Sequence, residues 1–289
     1  MNQVLVGADP ECFVQKLVRD EVGRPQRYES IPAFGLFGGS KEKPTEMKGL
    51  PEGYFYLEDN AALEFNIPPQ KDANSFCGAI ATARAWLTAN LLTPKEMQIG
   101  QENAIMLGPK HQKDPRSQEV GCMPDHDAYF NDGQQREPFS GKTLGKKRYA
   151  GGHIHISYNV SVIPQFVAAR FLDIYLSLPY LDWDVQHERR TTYGKPGLFR
   201  PKDYGIEYRT PSNWWLVTAQ RNQMTFIEGA LYFARRSYEA DYLNLLSEAY
   251  VSFPWDDLQK IIMSNDYRAA RQLVDLANHQ FQLNVRGIR

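Results

Sequence analysis

The stretch Gly151-Gly152-His153-Ile154-His155-Ile156-Ser157-Tyr158 decides how this chain is read. Side chains two apart on a strand share one face, so the two imidazoles point one way and Ile154 and Ile156 the other. Histidine and carboxylate side chains are not the usual strand formers. Three other segments nevertheless repeat the arrangement: Asp9 and Glu11 in Gly7-Ala8-Asp9-Pro10-Glu11, Glu64 and Asn66 in Leu63-Glu64-Phe65-Asn66-Ile67, and Glu207 and Arg209 in Gly205-Ile206-Glu207-Tyr208-Arg209. Taken alone, each pair suits a solvated outer face. Together on one antiparallel sheet they line a single face with carboxylates, imidazoles and a guanidinium. Crowded carboxylates repel one another unless protons or cations neutralise them. An oxygen-rich set with one imidazole suits Mg²⁺ or Mn²⁺ better than it suits a soft-ligand ion. Two imidazoles at i, i+2 also admit a zinc hydrolase; that needs a third strong ligand, and spacing does not single out His111, His126 or His187.

Outward from these strands, residues 3–18 read as a strand or strand pair and 16–48 as Gly/Pro-rich loops with room for a hairpin. Residues 54–67 read as a strand interrupted near Asp59-Asn60 and stopped by Pro68-Pro69. Asp72 or Asn74 caps a helix reaching about Leu92, with Phe76, Ile80, Ala83 and Leu87 at helical spacing. A strand over 98–107, a long loop over 108–147 and a strand over 149–158 follow. Next come a helix over 163–181, a polar loop over 182–202 that carries Arg189, Arg190, Lys195 and Arg200, and a strand over 204–210. A long helix over 213–236 and two or three shorter helices complete the chain. Gly35, Gly38 and Gly39 read as a turn. Gly141-Lys142-Thr143 and Gly145-Lys146-Lys147-Arg148 form a basic glycine-containing loop able to close over phosphates.

The chain has 289 residues, enough for one large domain or two small ones. Apolar residues make up 42% and charged residues 23%, which excludes a disordered chain. Lys plus Arg number 33 against 34 Asp plus Glu, a balance that argues against general nucleic-acid coating. Cys12, Cys77 and Cys122 form no CxxC pair; this excludes a four-cysteine zinc site and fits reduced thiols in a cytoplasm. No signal peptide and no membrane span are expected. A Walker phosphate loop and a GxSxG nucleophile elbow are both missing.

The four motifs, in this order, resemble the glutamine synthetase and glutamate–cysteine ligase superfamily. Gly7-Ala8-Asp9-Pro10-Glu11-Cys12-Phe13 is similar to its first catalytic strand, with Asp9 in place of a Glu. Gly152-His153-Ile154-His155-Ile156-Ser157 is similar to its G-x-H-x-H/N-x-S strand, and Ile206-Glu207-Tyr208-Arg209-Thr210-Pro211 to its E-x-R-x-P strand. Glu64-Phe65-Asn66 is similar to the E-x-N of the glutamate–cysteine ligase branch. Gly121-Cys122-Met123-Pro124-Asp125, Glu188-Arg189-Arg190, Tyr193-Gly194-Lys195 and Ser212-Asn213-Trp214-Trp215 draw the resemblance closer to the phage-type COOH-NH2 ligase type 2 amidoligases.

This resemblance implies an α+β fold: a curved antiparallel sheet whose concave catalytic face is backed by helices. The ligase domain is expected over 1–236, with a C-terminal helical extension over 237–289 packed on the same body. It implies an ADP-forming, ATP-dependent ligase with two Mg²⁺ ions that makes an amide through an acyl phosphate. Asp9, Glu11, Glu64, His153 and Glu207 are then metal ligands, and His155, Arg148, Arg200 and Arg209 face the nucleotide phosphates. Arg209 and Glu207 serve catalysis, while Asn66 and Asn213 orient substrate. Asp125 and Asp127 are candidate bases for the amine. Expected partners are small-molecule or peptide carboxylates and amines, together with enzymes of a peptide- or amide-forming pathway. The expected location is cytoplasmic, in the host if the chain is phage-encoded. A guanidino or carboxylate kinase on the same fold, and a non-enzymatic phage structural or host-interaction protein, remain the alternatives.

Overall fold

The structure, a computed structural model, describes residues 4–118, 125–136, 145–185 and 187–287. Its described strands are β1 (Val6–Ala8), β2 (Glu11–Cys12), β3 (Val14–Arg19), β4 (Pro25–Ile31), β5 (Thr45–Glu46), β6 (Phe55–Asp59), β7 (Ala62–Gln70), β8 (Met97–Ile99), β9 (Ala104–Met106), β10 (His126–Asp127), β11 (Lys147–Tyr149), β12 (Ile154–Ser157), β13 (Leu198–Lys202) and β14 (Gly205–Tyr208). The main sheet runs β10-β13-β14-β12-β1-β7-β6-β5, with β2 also paired to β7, and its pairings are antiparallel. A smaller sheet joins β4, β3 and β8, and a ribbon joins β11 and β9. The longer helices are α1 (Ala73–Leu87), α2 (Gln165–Leu172), α3 (Gln220–Arg236), α4 (Ala240–Ser252), α5 (Trp255–Ser264) and α6 (Tyr267–His279). The expected α+β class holds: the sheets are antiparallel and open, and several helices pack with them.

Strand parity divides the main sheet into two faces. Ala8, Ile154 and Tyr208 are cross-strand neighbours, as are Val6, Ile156 and Ile206. Their side chains join one core with Phe76 and Ile80 of α1 and Phe226 and Phe233 of α3. Burying such a side chain contributes roughly 1.5–3 kcal/mol, so this face fixes the register. The opposite parity sets Gly7, His155, Glu207 and Arg200 in one row across β1, β12, β14 and β13. Asp72 caps α1, its carboxylate accepting the Ser75 amide at 2.8 Å. Phe76, Ile80, Ala83 and Leu87 are buried, as their spacing predicts.

Several elements differ from the sequence reading. Residues 149–158 are not one strand: β11 pairs with β9, and the chain then passes through Gly151-Gly152 before β12 enters the main sheet. The cause is a close backbone crossing. Gly152 donates its amide to Pro211 O at 3.0 Å and accepts Trp215 Nε1 at 3.1 Å, and a Cβ there would lie 2.2 Å from Ser212 O. The expected strand over 98–107 splits into β8 and β9, which serve different sheets. The expected loop over 182–202 ends in β13, whose Leu198 and Phe199 are buried and whose Arg200 alternates outward. The helix expected from 213 is a 3-10 turn, Asn213–Leu216, followed by the separate α3. The 16–48 segment contains the β3–β4 hairpin.

Strand β14 is anchored from behind. Asp173, fully buried, accepts hydrogen bonds from the hydroxyls of Tyr208, Tyr129 (3.0 Å) and Thr210 (3.2 Å). Burial pushes its carboxyl from an ordinary 3.8 up to about 7, against the opposing pull of the Tyr208 bond, the Gly197 amide and the other hydroxyls. The native state therefore keeps a proton that the unfolded chain releases at lower pH. That contribution is complete below about pH 4 and is lost as pH rises through about 7. The unfolding free energy from denaturant titration is expected to fall between about pH 5 and about pH 8 by more in the wild type than in Asp173→Asn, the excess being on the order of a few kcal/mol. Equal falls in the two proteins would show that Asp173 is ionised throughout.

Candidate active site

Two groups of side chains on the polar face can hold a cation: Asp9, His155 and Glu207, and Glu11, Asp59 and Glu64; in each, the candidate ligand atoms lie within 4.8 Å of one another. The first group follows from the row just described, because His155 and Glu207 are direct cross-strand neighbours. His155 Nε2 lies 3.2 Å from Asp9 Oδ1, and its Nδ1 lies 2.6 Å from the Tyr204 hydroxyl, which fixes the ring. Burial pulls the His155 pKa down, but Asp9 and then Glu207 outweigh it and hold it above the usual value. Glu207 is buried among cations. Arg209 contacts its Oε1, Arg200 Nη1 lies 3.4 Å from the same oxygen, and Lys202 Nζ lies 2.9 Å from Oε2. Burial pushes this carboxyl up, yet the charges of Arg209, His155 and Arg200 hold it well below the usual carboxylate range.

The second group comes from the pairing of β2 with β7, which sets Glu11 opposite Glu64. Asn60, with φ +57°, makes the tight turn between β6 and β7, and the pairing of Leu57 with Glu64 then puts Asp59 on the Glu64 face. Glu11 Oε2 accepts the Gly151 amide at 2.7 Å and Oε1 accepts the Tyr193 hydroxyl at 2.8 Å. Burial, then Asp9, Asp59 and Glu11, push Glu64 well above the usual carboxylate range; burial and Asp59 also raise Glu11. Lys41 Nζ lies 2.8 Å from Asp59 Oδ2.

His153 lies between the groups, 3.7 Å from Asp9 Oδ1 and 3.9 Å from Glu11 Oε1. Burial, reinforced by the Arg209 charge, holds its pKa well below the usual value, so the ring is neutral. Arg209 Nη1 lies 3.0 Å from Nδ1, which must therefore accept; Nε2–H then faces the Tyr193 oxygen at 3.2 Å. Tyr193 donates its hydroxyl hydrogen bond to Glu11, so one chain of hydrogen bonds joins Arg209, His153, Tyr193 and Glu11.

The structure brings together Asp9, Glu11, Glu64, His153, His155, Glu207, Arg209 and Arg200. The two histidines stand differently: His155 falls in the group with Asp9 and Glu207, while His153 is hydrogen-bonded with Arg209 and Tyr193 between the two groups. The reason is register, since His153 precedes β12 and only His155 has Glu207 as its cross-strand partner. Asn66 lines a cavity of about 420 Å³ with Gly7, His155, Ser157 and Tyr204. Asn213 is fully buried and donates to Glu11 O at 2.9 Å, so it holds the backbone of β2. Arg148, in the ribbon, is buried elsewhere, donating to the carbonyls of Gly145, Lys147 and Ser117. Asp125 lies 3.1 Å from both Arg200 Nε and Arg209 Nε. Asp127 pairs with Arg136 at 2.6 Å and accepts the Tyr129 amide at 2.9 Å, as a turn residue does. Gly121 to Pro124, including Cys122, and Gly141-Lys142-Thr143 lie outside the described residues.

Sequence reasoning missed Asp59, Tyr193 and Lys202. Asp59-Asn60 was legible as a break in a strand, but its facing of Glu64 needs the hairpin register. Lys202 was hidden because β13 read as loop. Tyr193 stood inside a recognised motif without a role. The donor set fits hard divalent cations: it is rich in carboxylate oxygens, and Asp9 Oδ1 is buried without a well-aligned hydrogen bond.

Fold and face define an α+β protein with two neighbouring acidic groups, an arginine at their junction and further cations at its rim. The family model described as Phage phiEco32-like COOH.NH2 ligase-type 2 matches residues 139–272. The resemblance drawn from the motifs is therefore met over that stretch, which carries His153, His155, Glu207 and Arg209. No curated protein matches the chain. No helix among the described residues is long and apolar enough to cross a membrane.

Proposed function

We propose that the chain is an ATP-dependent, ADP-forming carboxylate–amine ligase, working on the polar face of a glutamine synthetase-like curved sheet. The family match supports a carboxylate–amine ligase. The observation that carries the reading is Arg209 at the junction of the two acidic groups, in contact with Glu207 and hydrogen-bonded to His153. Asp9, His155 and Glu207, and Glu11, Asp59 and Glu64, would hold divalent ions, which would supply neutralisation of phosphate charge. The cavity of about 420 Å³ beside Asn66 and Tyr204 would receive the nucleotide base. A substrate carboxylate oxygen attacks the γ-phosphorus, the bond to the bridging oxygen breaks, and ADP leaves. Arg209 stabilises the charge on the transferring phosphoryl, helped by Arg200 and Lys202. An amine then attacks the acyl carbon and expels phosphate, which carries off the amine's proton, leaving the amide.

Thermal unfolding tests the first half of this reading. ATP with Mg²⁺ at about 100 times its dissociation constant adds roughly 2.7 kcal/mol to the native state, a shift of several degrees at this size. The shift is expected to need both components and to vanish with a chelator. Amine-dependent ADP release in a screen of carboxylates then separates a ligase from a kinase. No shift at saturating ATP and Mg²⁺ overturns the proposal.

A further inference from the structure

The glycine-rich segment that the sequence offered only as a turn delivers a lysine to the second acidic group. Glu58, the neighbour of Asp59, accepts the backbone amides of Gly35, Phe37 and Gly38 at 2.7, 2.6 and 2.8 Å. Three donors on one carboxylate fix the segment against β6. Gly39, with φ +81°, then brings the backbone so close to β6 that a Cβ would lie 3.0 Å from Tyr56 O and 3.2 Å from Leu57 Cα. Reciprocal backbone bonds of 3.1 Å between Ser40 and Lys43 close the next turn. Lys41 sits inside it, and its ammonium lies 2.8 Å from Asp59 Oδ2, with the lysine about one-third exposed and the carboxylate buried. The contact is therefore a partly buried ion pair held by a built loop.

We propose that Lys41 is a resident cation of the Glu11–Asp59–Glu64 group, competing with a divalent ion for Asp59, so that the ion binds there only as the ammonium yields. This rests on the ion-dependent reading of the face given above. Asp59 Oδ2 cannot hold the ammonium and a divalent ion together, and an ion on Oδ1 still meets the ammonium's charge across the same carboxylate, so ion binding favours release of the lysine. The lysine lowers the affinity of this group for metal and offsets the charge of Asp59 when no ion is bound.

The test is Mn²⁺ binding to the full chain without nucleotide, followed by the loss of the free-ion electron paramagnetic resonance signal. Wild type, Lys41→Gln, Lys41→Arg and Asp59→Asn are compared. Lys41→Gln is expected to tighten the Asp59-dependent class of sites on the order of tenfold, the size of one partly buried ion pair. Lys41→Arg, which keeps the charge, is expected to stay near wild type. An Asp59-dependent class that is unchanged or weaker in Lys41→Gln overturns the role of Lys41 while leaving the ion-dependent face intact. No Mn²⁺ binding by either wild type or Lys41→Gln overturns both.

Discussion

Replacing Glu207 by Gln is expected to lower Mg²⁺-dependent ADP release by at least about 10³-fold in a protein that remains folded. The carboxylate belongs to the Asp9–His155–Glu207 group and is buried against Arg209, Arg200 and Lys202. Glutamine keeps the shape and one acceptor oxygen for Arg209, but it removes the charge. Two effects follow together. The group loses one of its two carboxylates, and three cations lose the anion that holds them in a common arrangement. Breaking a buried pair costs about 3–5 kcal/mol when nothing replaces it. Here the cost is smaller, because Lys202 is about one-third exposed and turns to water, and Arg209 keeps other partners. Circular dichroism and melting temperature establish folding, and ADP release at saturating Mg²⁺ gives the effect. Turnover within tenfold of wild type in folded Glu207→Gln would falsify the assignment of this carboxylate, and with it the first ion group.

The sequence made the polar face legible because strand parity is a strict rule. Within each strand, i, i+2 spacing set His153 and His155 opposite Ile154 and Ile156, and Glu207 and Arg209 opposite Ile206 and Tyr208. Spacing does not carry register between strands. Which histidine meets Glu207 depends on where β12 begins, and that is set by the crossing of Gly152 against Ser212 and Trp215, about 60 residues apart in sequence. Asp59 entered the second group through a hairpin turn at Asn60 that looked like an interruption. Arg200 and Lys202 lie on a strand whose leading Leu198 and Phe199 are its only clear apolar signal, followed by a proline. The Asp173 network behind β14 is built from single polar residues in apolar surroundings, and no local pattern marks it. The α1 helix was easier, because its cap and its apolar spacing agree.

Substituting Arg209 by Lys is expected to reduce kcat on the order of 10²–10³-fold while changing the KM for ATP by less than about threefold. The guanidinium is almost fully buried and holds several directions at once. Its Nη1 contacts Glu207 and lies 3.0 Å from His153 Nδ1; its Nη2 lies 3.3 Å from the Tyr193 hydroxyl and its Nε 3.1 Å from Asp125. A planar fork can serve that set, and a single ammonium cannot, so the lysine keeps the charge but loses its placement. His153 then loses the donor that fixes its tautomer, and the hydrogen-bonded link to Tyr193 and Glu11 loosens. On the proposed reading, ground-state binding of nucleotide would draw on both ion groups, Arg200 and Lys202, so it is expected to change little. Stabilisation of the transferring phosphoryl depends on a donor held in one position, so kcat carries the loss. Steady-state kinetics with ATP varied at saturating Mg²⁺ separate the two constants. A large rise in KM with kcat preserved would make Arg209 a residue of nucleotide binding, and the transition-state role would pass to Arg200 or Lys202.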